Sequence, residues 1–142
     1  VQPFCPIVYG SMAFWLGKPG MGSEKEHSHR WTCYVRGAHG QDISYCVSKV
    51  VFHLHPTIEN HIRGAPTVAT PPFSVTESGW GEFEISIRVF FHDPSQRPLS
   101  VNHLLKLHPP PHVAPTTEAP VLSEVYDEIV FVDPTPMMAR LL

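Results

Sequence analysis

No stretch of this 142-residue sequence stays apolar long enough to span a membrane. Its start, Val1-Gln2-Pro3-Phe4, has neither the basic region nor the hydrophobic region of a secretory signal. A membrane partner is therefore not expected. Neither glycine pattern that cradles phosphates, GxxxxGK or GxGxxG, occurs. Cysteine is scarce: Cys5, Cys33 and Cys46 are odd in number and form no CxxC pair, so we expect reduced thiols in a cytosolic or nuclear setting and no disulfide framework. Positive charge is not in excess either. Ten Lys and Arg against 13 Asp and Glu give a net charge of -3, which disfavours a direct nucleic-acid role and leaves a cationic peptide partner compatible. A sustained helical period of apolar residues is also missing.

What is present is alternation with period two. In residues 81–91, Phe83, Ile85, Ile87, Val89 and Phe91 share one face while Glu82, Glu84, Ser86 and Arg88 take the other, as a strand half-buried on a core requires. Trp31, Cys33 and Val35 alternate with Thr32, Tyr34 and Arg36, and Val50, Phe52 and Leu54 alternate with Val51, His53 and His55. Further strands are expected over 7–15, 73–76, 99–107 and 122–132, separated by polar or Pro/Gly-rich loops at 17–28, 37–42, 59–72, 92–98 and 108–120. The chain holds 16 prolines and 9 glycines, which suits many short connections. These features predict an all-β fold: an immunoglobulin-like sandwich of about seven or eight antiparallel strands, with a short C-terminal helix within 134–142. The length fits one domain over 1–142, and the absence of an initiator Met suggests that it is excised from a longer chain.

The residues that could carry covalent chemistry are poorly placed for it. Ten histidines include the close pairs His27/His29, His53/His55 and His108/His112, but no Cys or carboxylate at ligand spacing completes a tetrahedral set, so no metal is expected. Ser78 lies in Glu77-Ser78-Gly79-Trp80-Gly81 and lacks the GxSxG elbow of a hydrolase nucleophile. Cys33 falls on a buried face, where a thiol behaves as a small hydrophobe. No enzyme activity and no cofactor are expected. The segment that stands out is Trp80 between Gly79 and Gly81, because flanking glycines let backbone approach a ligand closely and leave an indole room to act as a flat wall. A core Trp beside a glycine turn is the other reading of the same residues.

Several ordered segments together resemble the YEATS domain family, and specifically its glioma-amplified-sequence type. They include Pro6-Ile7-Val8-Tyr9-Gly10, His27-Ser28-His29-Arg30-Trp31, Val50-Val51-Phe52-His53-Leu54-His55, Pro71-Pro72-Phe73, Glu77 to Phe83, and Phe90-Phe91-His92-Asp93-Pro94. Towards the end the resemblance continues through Arg97-Pro98, His103-Leu104-Leu105-Lys106-Leu107, Ser123-Glu124-Val125-Tyr126-Asp127-Glu128 and Asp133-Pro134-Thr135. Nearly the whole chain is covered.

The resemblance implies a sandwich with a loop-end pocket that receives an acetylated or crotonylated lysine of a histone tail. Trp80 matches one aromatic wall, and Ile58 stands where the family has the opposing aromatic. Thr57 matches the hydroxyl residue that accepts the acyl-lysine N–H, and the main chain around Gly79, Trp80 and Gly81 matches the donor to the acyl carbonyl. His27, His55 and Phe83 match positions of the pocket or its adjoining groove, and Glu82 and His103 are candidate peptide contacts. Protonation of His27 and His55 is expected to weaken binding of a cationic tail. The implied setting is nuclear, and the implied partners besides the tail are subunits of acetyltransferase or histone-variant-exchange complexes. A structural assembly module without lysine-reading activity is the alternative.

Overall fold

A computed structural model describes residues 2–17, 28–54, 65–79 and 81–142. Among the described residues, eight strands form two four-stranded antiparallel sheets. They are β1 (Phe4–Trp15), β2 (His29–Gly37), β3 (Val47–His53), β4 (Thr67–Val68), β5 (Phe73–Gly79), β6 (Glu84–Phe91), β7 (Leu99–Leu104) and β8 (Val121–Val130), followed by helix α1 (Pro136–Leu141). One sheet has the order β5-β2-β1-β8 and the other β4-β3-β6-β7. This is the expected sandwich, with its short C-terminal helix in place.

The period-two pattern explains where the core lies. Trp31, Cys33 and Val35 of β2 face Val50 and Phe52 of β3 and Ile85, Ile87 and Val89 of β6 across the space between the sheets, all buried in one apolar cluster. In β1 the inward residues are Cys5, Ile7, Tyr9, Ser11 and Ala13. A Cβ on Gly10 would stand 2.2 Å from the carbonyl oxygen of Ser123, so β1 and β8 can approach this closely only with glycine there.

Several boundaries differ from the sequence expectation. The strand expected over 81–91 begins at Glu84, because the chain at 81–83 leaves the ladder as it crosses from β5 in one sheet to β6 in the other. The strand expected over 99–107 ends at Leu104, although the alternation continues inward through Leu105 and Leu107, and the Leu105 N–H still donates to the Phe83 carbonyl at 2.9 Å. Within the loop expected at 59–72, Thr67 and Val68 pair with Val51 and Val50 to make β4.

One end of the sandwich is closed by matched side chains. Thr135 caps α1 by accepting the Met138 N–H at 3.2 Å and also donates to Asp93, whose carboxylate in turn accepts the Ser95 N–H at 2.9 Å. Bonds from Thr135 and then Ser95 hold the Asp93 carboxyl below its ordinary value. Met138 plugs this end fully buried, beside an edge-to-face Phe91–Phe131 pair at 5.2 Å.

Candidate functional site

The opposite end is built differently. Strand register sets Trp15 of β1 level with His29 of β2, and His29 level with Gly79 of β5, so three strands of one sheet finish together. There the chain leaves Gly79 and crosses to Glu84 of the second sheet, whose β7 ends nearby at Leu104, paired with Glu84.

Polar side chains tie this crossing down. The Glu82 carboxylate accepts the backbone N–H of Leu107 at 2.8 Å and of His108 at 3.3 Å, and so fixes the segment after β7 against the segment after β5. Partial burial works to raise the Glu82 carboxyl. The two amides, with the charges of His108 and Lys106, outweigh it and hold the group below its ordinary value. His29 is buried, with its Nδ1 2.8 Å from the Ser28 hydroxyl and its ring edge-on to His108 at 5.1 Å. Burial first, and then the neighbouring His108, lower the His29 pKa against an opposing pull from Glu82. The Ser28 hydroxyl also donates to the Gly79 carbonyl at 3.4 Å. Phe83 packs against the core and meets Trp31 edge-on at 5.8 Å.

Among the described residues, and chain neighbours aside, a Cβ on Gly81 would meet nothing within 4 Å, and one on Gly79 would meet the Trp31 Nε1 at 3.8 Å. At this end the Ser28 hydroxyl is held between the His29 ring and the Gly79 carbonyl.

Of the sequence-predicted site residues, Gly79, Gly81, Glu82 and Phe83 come together here. His27, His55, Thr57, Ile58 and Trp80 lie outside the described residues. His103 is a correction: it is 4% exposed, sits between the sheets with Nε2 2.8 Å from the Ser11 hydroxyl, and turns its ring edge-on to Tyr9, so it cannot touch a peptide at the surface. Its place in the strand explains this, since the residues at positions 103, 105 and 107 all face inward. Sequence reasoning missed His29, His108 and Trp31 as members of this end. His29 shares the inward parity of Trp31 and Cys33, which is a legible signal; His108 depends on the Glu82 brace and gives none. Among the described residues, no three His, Cys, Asp or Glu side chains gather as a metal-ligand set.

Comparison with known proteins places this geometry. The model of the YEATS family matches residues 26–109, more than half of the chain. Transcription initiation factor TFIID subunit 14b of Arabidopsis thaliana is 51% identical over 92% of this chain and 47% of its own length. The AF-9 homolog of Kluyveromyces lactis is 40% identical over 96% of this chain and 67% of its own. The chain thus spans about half to two thirds of the length of these curated relatives. Among solved structures, the Yaf9 YEATS domain bound to H3K27ac, from yeast, superposes with a TM-score of 0.82 at 37% identity, covering 99% of this chain and 93% of that one. The same domain recognising an H3K122suc peptide gives a TM-score of 0.80. The chain belongs to the YEATS family.

Proposed function

We propose that this chain is a non-enzymatic reader that grips an acylated lysine of a histone tail at the end of the sandwich marked by Gly79 and Gly81. One observation carries the reading. Among the described residues, chain neighbours aside, nothing stands within 4 Å of a Cβ built on Gly81, in a domain whose 37%-identical relative is a YEATS domain bound to H3K27ac. In this reading Trp80 is one wall, Ile58 the other, and Thr57 accepts the amide N–H of the acyl-lysine, while main chain from Gly79 to Gly81 donates to its carbonyl. His27 and His55 border the groove with Phe83 beneath, and Glu82 acts by bracing the neighbouring loop.

Acylation makes this selective by desolvation. An unmodified lysine ammonium entering a narrow slot loses its water and meets no carboxylate, whereas a neutral amide exchanges its water for a hydroxyl and a backbone N–H. Residues 1–142 act as one domain of the glioma-amplified-sequence type. It works in the nucleus, where binding recruits or anchors acetyltransferase or histone-variant-exchange complexes. Crotonyl-lysine is accepted along with acetyl-lysine.

The test is titration of acetylated, crotonylated and unmodified histone peptides against the wild-type chain and Trp80→Ala. We expect saturable binding of the acylated peptides alone, lost in the variant, with backbone shift changes centred on residues 79–83. Equal response to unmodified peptides, or full binding by Trp80→Ala, overturns the reading. One observation favours an assembly role instead. The outer face of the first sheet carries the apolar register pairs Phe4–Val130, Val8–Tyr126 and Met12–Leu122, with Phe4, Leu122, Tyr126 and Val130 exposed. A pure scaffold shows no localised shifts at 79–83 with any acylated peptide.

A further inference from the structure

The flank of the sandwich where β7 and β8 run carries a groove of about 520 Å3, and every residue that lines it is described. The buried Phe91, Ile129 and Phe131 form its base and the half-buried Leu99 its wall, while Arg88, Gln96, Arg97 and Ser100 bring polar side chains to it. Its size falls within the range of binding clefts, roughly 300–1,000 Å3. β8 is the outer strand of one sheet and β7 of the other, so main-chain groups along both edges lack a ladder partner among the described residues.

The cations of this groove are unmatched. Among the described residues the ion pair is Arg36–Glu124, on the outer face of the first sheet, so neither Arg88 nor Arg97 meets a carboxylate. Arg88 lies over the Phe90 ring at 5.2 Å, and Lys49 lies over the same ring at 4.7 Å, which adds a third positive charge nearby. The acids closest along the chain are engaged or distant. Asp93 is buried and taken by Ser95 and Thr135, and Glu84 stands at the far end of β6, level with Leu104. In a chain of net charge -3 this is a local excess of the opposite sign.

We propose that the groove binds an extended acidic peptide segment of a partner protein. Apolar side chains of the segment lie on Phe91, Leu99 and Phe131, its carboxylates reach Arg88 and Arg97, and its main chain bonds to a free strand edge. A nucleic-acid duplex satisfies the cations through phosphates but leaves the apolar base uncovered, so a peptide fits the surface better. A cationic histone tail is repelled here. The groove therefore serves a different partner from the end marked by Gly79 and Gly81, and the inference does not depend on the acyl-lysine reading.

The probe is a fluorescein-labelled synthetic peptide alternating Glu or Asp with Leu or Phe, titrated by anisotropy and by amide shifts of the wild-type chain. We expect saturable binding, weakened by salt, with shifts centred on residues 88, 96–100 and 129–131. The same peptide with Gln and Asn for its acids should bind about tenfold less tightly, as should the acidic peptide to Arg88→Glu/Arg97→Glu. A peptide with Lys at the acidic positions should bind that double variant better than the wild type, a rescue that misfolding cannot produce. No saturation by about 1 mM peptide, shifts confined to other residues, or undiminished binding by the double variant overturns the proposal. Tighter binding of a short DNA duplex with the same shifts makes this a phosphate surface and overturns it as well. Dimerisation of the free chain through these residues does the same, because the occupant is then a second copy. Should the double variant fail to fold, Arg97→Ala decides, and unchanged affinity there overturns the assignment. An acetylated histone peptide should leave residues 96–100 and 129–131 unmoved, so either reading can fail while the other stands.

Discussion

The two ends of the sandwich solve opposite problems with the same strands. Where β6 hands over to β7, polar groups find one another: Asp93 joins Ser95 and Thr135, the Ser44 carbonyl meets the His92 ring at 2.7 Å, and Met138 fills the remaining gap. Where β5 hands over to β6, a buried indole N–H goes unpaired among the described residues, and the Glu82 carboxylate and the Phe83 carbonyl hold the segment after β7. Matched polar groups add to stability, whereas a buried donor left unmatched subtracts from it; in the proposed function, the end that keeps one is the end that meets the ligand.

The sharpest way to break this division is to damage the closed end and look for an effect at the open one. Met138→Ala removes most of a fully buried side chain and is expected to cost about 2–5 kcal/mol of folding free energy, read from denaturant midpoints at constant m. At temperatures where the variant stays folded, its affinity for an acetylated histone peptide should match the wild type. A matching loss of affinity in folded protein would show that the ends are coupled and the division is false.

A smaller effect is expected in the opposite direction. Ile58 stands where a second aromatic wall is implied by the family, so Ile58→Tyr should tighten acyl-peptide binding by about 0.5–1.5 kcal/mol. It should also widen the advantage of flat crotonyl over acetyl, leaving the denaturant midpoint nearly unchanged. Unchanged or lowered affinity in matched titrations would remove residue 58 from the slot. In the wild-type chain the crotonyl advantage should be small.

The core of this fold was legible because period two is a local signal. The inward sets Trp31-Cys33-Val35, Val50-Phe52-Leu54 and Ile85-Ile87-Val89 are all buried, as alternation alone predicts. Strand β4 was not legible. Two residues carry no periodicity, and Thr67 and Val68 are extended only because β3 lies beside them. At the open end, the glycines and Phe83 could be singled out from Glu77 to Phe83, whereas His108 is held in place by a carboxylate 26 residues away in sequence, a distance no local pattern spans. His103 shows the opposite fault. It was expected at a peptide contact, but it shares the parity of Val101 and Leu105, and parity decided its position.

That buried imidazole supplies the smallest and most gradual of the expected effects. Burial between the sheets lowers the pKa of His103, so the folded chain keeps it neutral at pH values where the unfolded chain already binds a proton. By linkage, stability is full above the ordinary histidine value of about 6.5 and declines as pH falls below it towards the depressed folded value. His29, lowered mainly by burial with help from His108, acts with the same sign. The two imidazoles can then be separated by variant. His103→Gln keeps a polar partner for Ser11 and removes the titration, so denaturant midpoints measured from pH 7.5 down to 5 should fall less steeply than in the wild type. His29 contributes to the remaining slope and, unlike His103, lies beside the proposed ligand. Saturating acylated peptide should therefore alter the slope that survives in His103→Gln, and a slope indifferent to peptide would place His29 outside the energetics of binding.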